Sequence, residues 1–65
     1  MYRVLEARLA FHGLSKKEFA DKIEMNYNTL LGKLNGKTKF TLDEAVHIKE
    51  FLQEDISIEE LFEES

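Results

Sequence analysis

Four residues near the middle of the chain, Tyr27, Asn28, Leu31 and Gly32, are of types that suit contact with the edges of DNA bases. Asn pairs through two hydrogen bonds with adenine, and apolar side chains pack on the methyl group of thymine. Tyr also reaches phosphate. Gly32 costs about 1 kcal/mol relative to Ala inside a helix, and three explanations stay open: close approach of DNA, packing against another helix, or simple tolerance. All four are candidates for base contacts.

Basic and small polar side chains flank these positions. Lys16 and Lys17 open a predicted helix, where free backbone N–H groups favour phosphate, whereas Lys37 and Lys39 follow the predicted helix that holds Asn28. Phosphate contacts give affinity and register without sequence information. Any one of these lysines alone is more simply a solvated surface charge. As a set, they predict phosphate contacts by Ser15, Lys16, Lys17, Asn26, Lys33, Asn35, Lys37 and Lys39.

Apolar residues recur at helical spacing throughout the chain, as in the four-residue step from Leu5 to Leu9. A Ser or Thr with Glu three residues later opens a helix, because each side chain satisfies a free N–H of the first turn. This pattern begins at Ser15, Thr41 and Ser57. We therefore expect one all-α domain over residues 1–65, with helices at about 2–12, 16–23, 27–34, 42–53 and 58–63.

The segment between the second and third predicted helices holds only Glu24, Met25 and Asn26. Two short helices joined by about three residues cross steeply, which is the helix-turn-helix geometry. In proteins that bind DNA with this motif, the second helix enters the major groove and contacts bases with its N-terminal part. Tyr27 and Asn28 lie at that end of the third predicted helix.

Charge divides unevenly along the 65 residues, whose formal net charge is −4. Residues 1–42 hold eight Lys or Arg and four Asp or Glu, whereas residues 43–65 hold one Lys and nine Asp or Glu. This asymmetry predicts a basic face on an acidic platform.

Several function classes are disfavoured. The chain has no Cys, which excludes disulfides and thiolate chemistry, and its longest apolar run is three residues, so we expect a soluble cytoplasmic protein without a membrane segment. His12 and His47 stand 35 residues apart without the spacing of metal ligands. We expect no catalytic residue, no metal, no cofactor and no small-molecule ligand, and therefore no enzyme.

The chain resembles the lambda-repressor-like helix-turn-helix family, also called the Cro/repressor or XRE type, over roughly residues 3–62. The resemblance rests on an opening Leu-Ser, a small residue and two apolar residues on the first motif helix, an apolar residue on the second, and Asn-Gly-Lys after it. These are Leu14, Ser15, Phe19, Ala20, Ile23, Leu30, Asn35, Gly36 and Lys37. The segments Lys33–Lys37, Phe40–Leu42 and Glu44 are similar to a subgroup of small phage and prophage regulators.

Two positions depart from the family pattern. Glu24 stands in the turn where many members have Gly, which predicts modest strain if that residue is left-handed. Lys33 stands where the second motif helix usually buries an apolar residue, so we expect Leu30 and Leu34 to carry the buried stripe.

The resemblance implies a compact five-helix domain that occupies a double-stranded DNA operator and regulates transcription, near the nucleoid of a bacterial host cell. Ile56 and Phe62 in the last apolar segment either complete the core or contribute to a weak homodimer, and we expect both. The alternative is a protein-binding module of antitoxin-like or anti-repressor type that uses the acidic C-terminal half. A continuous lysine patch would favour DNA, and a dispersed one would favour a protein partner.

Overall fold

The computed structural model describes residues 1–64, a range with five α-helices and no strand. The helices are α1 (Arg3–Phe11), α2 (Lys16–Lys22), α3 (Tyr27–Leu34), α4 (Leu42–Leu52) and α5 (Ile58–Leu61). The prediction of an all-α fold is confirmed, and each helix ends within two residues of its predicted bounds. The last residue of the predicted domain, residue 65, lies outside the described range.

Side-chain caps begin four of the helices, and that of α3 is Asn26. The Ser15 hydroxyl accepts the backbone N–H of Glu18 at 3.1 Å, and the Thr41 hydroxyl accepts that of Glu44 at the same distance. Each Glu carboxylate accepts the N–H of its Ser or Thr in return, at 3.0 and 2.9 Å. Ser57 caps α5 through its hydroxyl. These reciprocal hydrogen bonds satisfy donors that helix geometry leaves free, so the cap residues determine where α2 and α4 begin.

Left-handed residues end the first four helices, and the one that ends α4 is Gln53, with φ 54°. Gly13 follows α1 with φ 70° and Gly36 follows α3 with φ 85°, a conformation that Gly adopts without the steric cost of a Cβ. Glu24 takes the same conformation after α2, with φ 58°, while the next N–H, that of Met25, bonds to the Ala20 carbonyl at 2.9 Å. A side chain in this region costs roughly 1–2 kcal/mol. The predicted strain at Glu24 is therefore present.

One core lies between the helices. Helix α3 packs against α2, and α5 packs against α1 and α4. An aromatic cluster of Tyr2, Phe40 and Phe62 joins the chain's beginning, the α3–α4 loop and the residue after α5, with ring centroids 5.1 to 6.2 Å apart. The core residues are Tyr2, Leu5, Leu9, Phe19, Ala20, Ile23, Leu30, Leu34, Ile48, Leu52 and Leu61.

Candidate functional site

Helix α3 has one side in the core and one side facing out. Leu30 and Leu34 are almost fully buried, which confirms the predicted stripe. The other side carries Tyr27, which is 41% exposed, and Asn28, which is exposed. Packing of the two leucines therefore fixes α3 so that its N-terminal turn is accessible.

The N-terminal turn of α3 is held in place by Asn26. Its Oδ1 accepts the backbone N–H groups of Asn28 and Thr29 at 2.9 and 3.2 Å. Such a cap contributes about 1 kcal/mol to helix stability. Asn26 thus fixes the backbone that carries Tyr27 and Asn28.

Leu31 and Gly32, the other two predicted base contacts, are half-buried on the next turn. A Cβ added to Gly32 would have no non-local heavy atom within 4 Å. Packing against another helix is therefore not the reason for this glycine. Close approach of a ligand and simple tolerance remain.

The predicted phosphate-contacting lysines lie in different environments. Lys17 and Lys37 are exposed and form no ion pair with any residue in 1–64. Lys16 Nζ lies 3.6 Å from a carboxylate oxygen of Glu6, an exposed and weak pair. Lys39 bonds to the carboxylate of Glu64 near the chain's end, which raises the pKa of the Lys39 ammonium.

Lys33 does not lie on the surface with the other lysines. It is 8% exposed, and its Nζ donates to the Lys39 carbonyl at 3.1 Å and lies 3.1 Å from Oε1 of Glu44. Burial raises the pKa of Glu44, but hydrogen bonds from the Thr41 N–H and from Lys33 outweigh it and lower the pKa overall. The prediction that Lys33 contacts phosphate is thereby corrected, because its ammonium is bound inside the protein.

Three other predicted phosphate contacts lie at helix boundaries. Ser15 and Asn26 are the N-caps of α2 and α3, and Asn35 is the C-cap of α3. All three are exposed. They lie at the ends of α2 and α3, the two helices that carry Lys17 and Asn28.

The predicted dimer contacts, Ile56 and Phe62, are half-buried and pack against the core. Leu42, at the start of α4, is more accessible than either of these two residues: it is 71% exposed. It lines one shallow groove together with Ile58 and Phe62. Leu42 stands three residues before Ala45 and so shares the helical spacing of the buried stripe of α4, which would predict it to be buried; the sequence gave no sign that it would be exposed.

A second groove of about 420 Å³ lies between the α2–α3 turn and the first turns of α4. Ile23, Met25 and Ile48 supply apolar side chains. Three carboxyl groups and one imidazole also line this groove. The sequence did not predict that these four residues would lie together. They are Glu24, Asp43, Glu44 and His47.

Across residues 1–64, no three His, Asp or Glu side chains are arranged to hold a metal ion, and no helix has the length and hydropathy to span a bilayer. Comparisons with models of protein families, with curated proteins and with solved structures find no match. The candidate site is therefore defined by its own geometry.

Proposed function

We propose that this chain binds double-stranded DNA sequence-specifically and regulates transcription by occupying an operator. The observation that carries the proposal is α3: Leu30 and Leu34 anchor it, while its capped N-terminal turn presents Tyr27 and Asn28. The packing of α2 against α3 across a four-residue connection supports a helix-turn-helix. The resemblance to the lambda-repressor-like family supports the same function.

The proposed contacts divide into two kinds. Asn28 would contact a base edge, with Tyr27, Leu31 and Gly32 beside it. Phosphate contacts would come from Ser15, Lys16, Lys17, Asn26, Asn35, Lys37 and Lys39. The mechanism is competitive occupancy in the cytoplasm of a bacterial cell, and the protein supplies no catalysis.

The test is selection from randomised duplex DNA at low and moderate salt. We expect enrichment of one site, and Lys37→Ala should weaken all sequences similarly and reduce the salt slope by about 1. Lys49→Ala is the matched control, because it removes the same charge from α4, outside the proposed contacts. Absence of enrichment, with only weak salt-sensitive binding, would contradict the proposal.

We also propose that binding involves a weak homodimer, because one such domain covers a half-site and paired half-sites lie about 34 Å apart. The exposed Leu42, which lines a groove together with the predicted dimer contact Phe62, offers an apolar surface to a second copy. In sedimentation experiments at increasing concentration, Leu42→Ser should lower self-association without loss of the fold. A selected site without two-fold symmetry, bound by a monomer, would contradict the dimer.

A second candidate function is a protein-binding module, favoured by the groove beside the α2–α3 turn and by the pairing of Lys16, Lys33 and Lys39 with carboxylates. The apolar side chains and carboxylates that line this groove complement a partner protein's segment in which a Lys or Arg stands beside an apolar residue. Selection from a random peptide library should then enrich such segments. Asp43→Asn should weaken their binding, whereas Glu63→Gln, outside the groove, should not.

A further inference from the structure

The loop between α3 and α4 carries Lys37 and Lys39, and it is fixed at its beginning by backbone hydrogen bonds. The N–H of Gly36 bonds to the Lys33 carbonyl at 3.1 Å, and the N–H of Lys37 bonds to the Gly32 carbonyl at 2.8 Å. This pair of bonds closes the end of α3. The backbone as far as Lys37 is thereby determined.

The end of the loop depends on the buried ammonium of Lys33. Its Nζ donates to the carbonyl of Lys39, which lies six residues later, and lies 5.9 Å from the ring centroid of Phe40. The same ammonium pairs with Glu44, whose carboxylate also accepts the N–H of Thr41. One side chain of α3 thus connects the loop's last residues with the first turn of α4.

We infer that Lys33 is a positioning residue: it holds the loop that presents Lys37 and Lys39 to the DNA backbone, and does not itself contact phosphate. This inference rests on the proposed function. A loop that is already held in one conformation in the free protein loses less conformational entropy when DNA binds it. Loss of the Lys33 link should therefore weaken DNA binding through the loop.

The test compares two variants that differ only at residue 33. Glu44→Gln keeps the cap, because Gln serves at this position of a capping box, and it keeps the bond from Lys33 to the Lys39 carbonyl. Adding Lys33→Met removes that bond without leaving an unpaired Glu44 charge. Thermal unfolding followed by circular dichroism checks that both variants fold.

Two measurements follow for each variant. Backbone NMR order parameters of residues 37–39 in the free protein should fall in the double variant, away from the value of about 0.85 of rigid backbone. Its affinity for the duplex enriched in the selection should be roughly tenfold lower than that of Glu44→Gln, because the freed loop backbone must be ordered again on binding. The slope of log affinity against log salt should stay the same.

Three results would overturn the inference. A slope reduced by about 0.9, with unchanged order parameters, would show that Lys33 itself contacts phosphate. Lower order parameters with unchanged affinity would show that a fixed loop is not needed for binding. If the wild-type protein binds no duplex, the proposed function fails. In that case, order parameters of residues 37–39 that are the same in the double variant as in Glu44→Gln would refute the positioning role as well.

Discussion

The Nε2 atom of His12 lies 2.8 Å from Oε2 of Glu54, joining the residue after α1 to the segment after α4. The same carboxylate oxygen receives the Arg8 guanidinium, whose two nearest nitrogens lie 3.0 and 2.9 Å away. The hydrogen bond from His12, followed by those from Arg8, lowers the pKa of Glu54 below its ordinary value. This carboxylate therefore favours the folded state while it is charged.

Glu54→Gln should reduce thermal stability at pH 7, and the difference from wild type should shrink as the pH falls. A carboxyl group whose pKa is lowered by folding stabilises the protein above its unfolded-state pKa, and that contribution disappears as the pH passes below the folded-state value. Melting temperatures at pH 7 and about pH 3, below the ordinary Glu range, test this. Glu63→Gln, at an exposed residue without an ion-pair partner in residues 1–64, is the control.

Asn28→Ala should cost about 1–3 kcal/mol in binding to the selected duplex and relax the preference at one base position. The reason is that a bidentate Asn–adenine pair discriminates among bases, whereas a lysine–phosphate pair does not. Binding to a panel of single-base variants of the duplex measures both effects. Equal weakening on every sequence would remove Asn28 from the base contacts.

Gly32→Ala should stabilise the free protein by about 0.5–1 kcal/mol, because Ala is favoured inside a helix and the added methyl group meets no neighbour. DNA binding should nevertheless weaken if α3 lies against a base pair at this position. Denaturant unfolding measures the change in stability, and titration of the selected duplex measures the change in DNA affinity. Unchanged binding would leave Gly32 as a tolerated residue.

Gly36→Ala should instead lower the stability of the free protein, because Gly36 has φ 85° and the Met1 side chain lies against it.

Glu24→Gly should raise the free energy of unfolding by about 1 kcal/mol, since Gly adopts the left-handed conformation without the steric cost of a side chain. Chemical denaturation measures the change. The opposite substitution, Gly13→Ala at φ 70°, should lower stability. A fall in stability for Glu24→Gly would show that the Glu24 side chain contributes more than its backbone costs.

The sequence by itself determined the helices and their ends. Ser15, Thr41 and Ser57 place the N-termini, and Gly13 and Gly36 end α1 and α3, because capping and left-handed geometry are local properties of a few neighbouring residues. Apolar spacing likewise identified Leu30 and Leu34 as the buried residues of α3. The outward direction of Tyr27 and Asn28 follows from that stripe.

Only the tertiary structure decided which distant charges meet. Lys33 has the spacing of a residue near the buried stripe, three positions after Leu30, but its partner Glu44 lies eleven residues later on another helix. The link between His12 and Glu54 spans 42 residues. Such pairs depend on how α1, α3 and α4 pack, and a long flexible side chain carries no local signal of its partner. Whether a lysine faces a ligand or the core is for that reason a property of the packed molecule.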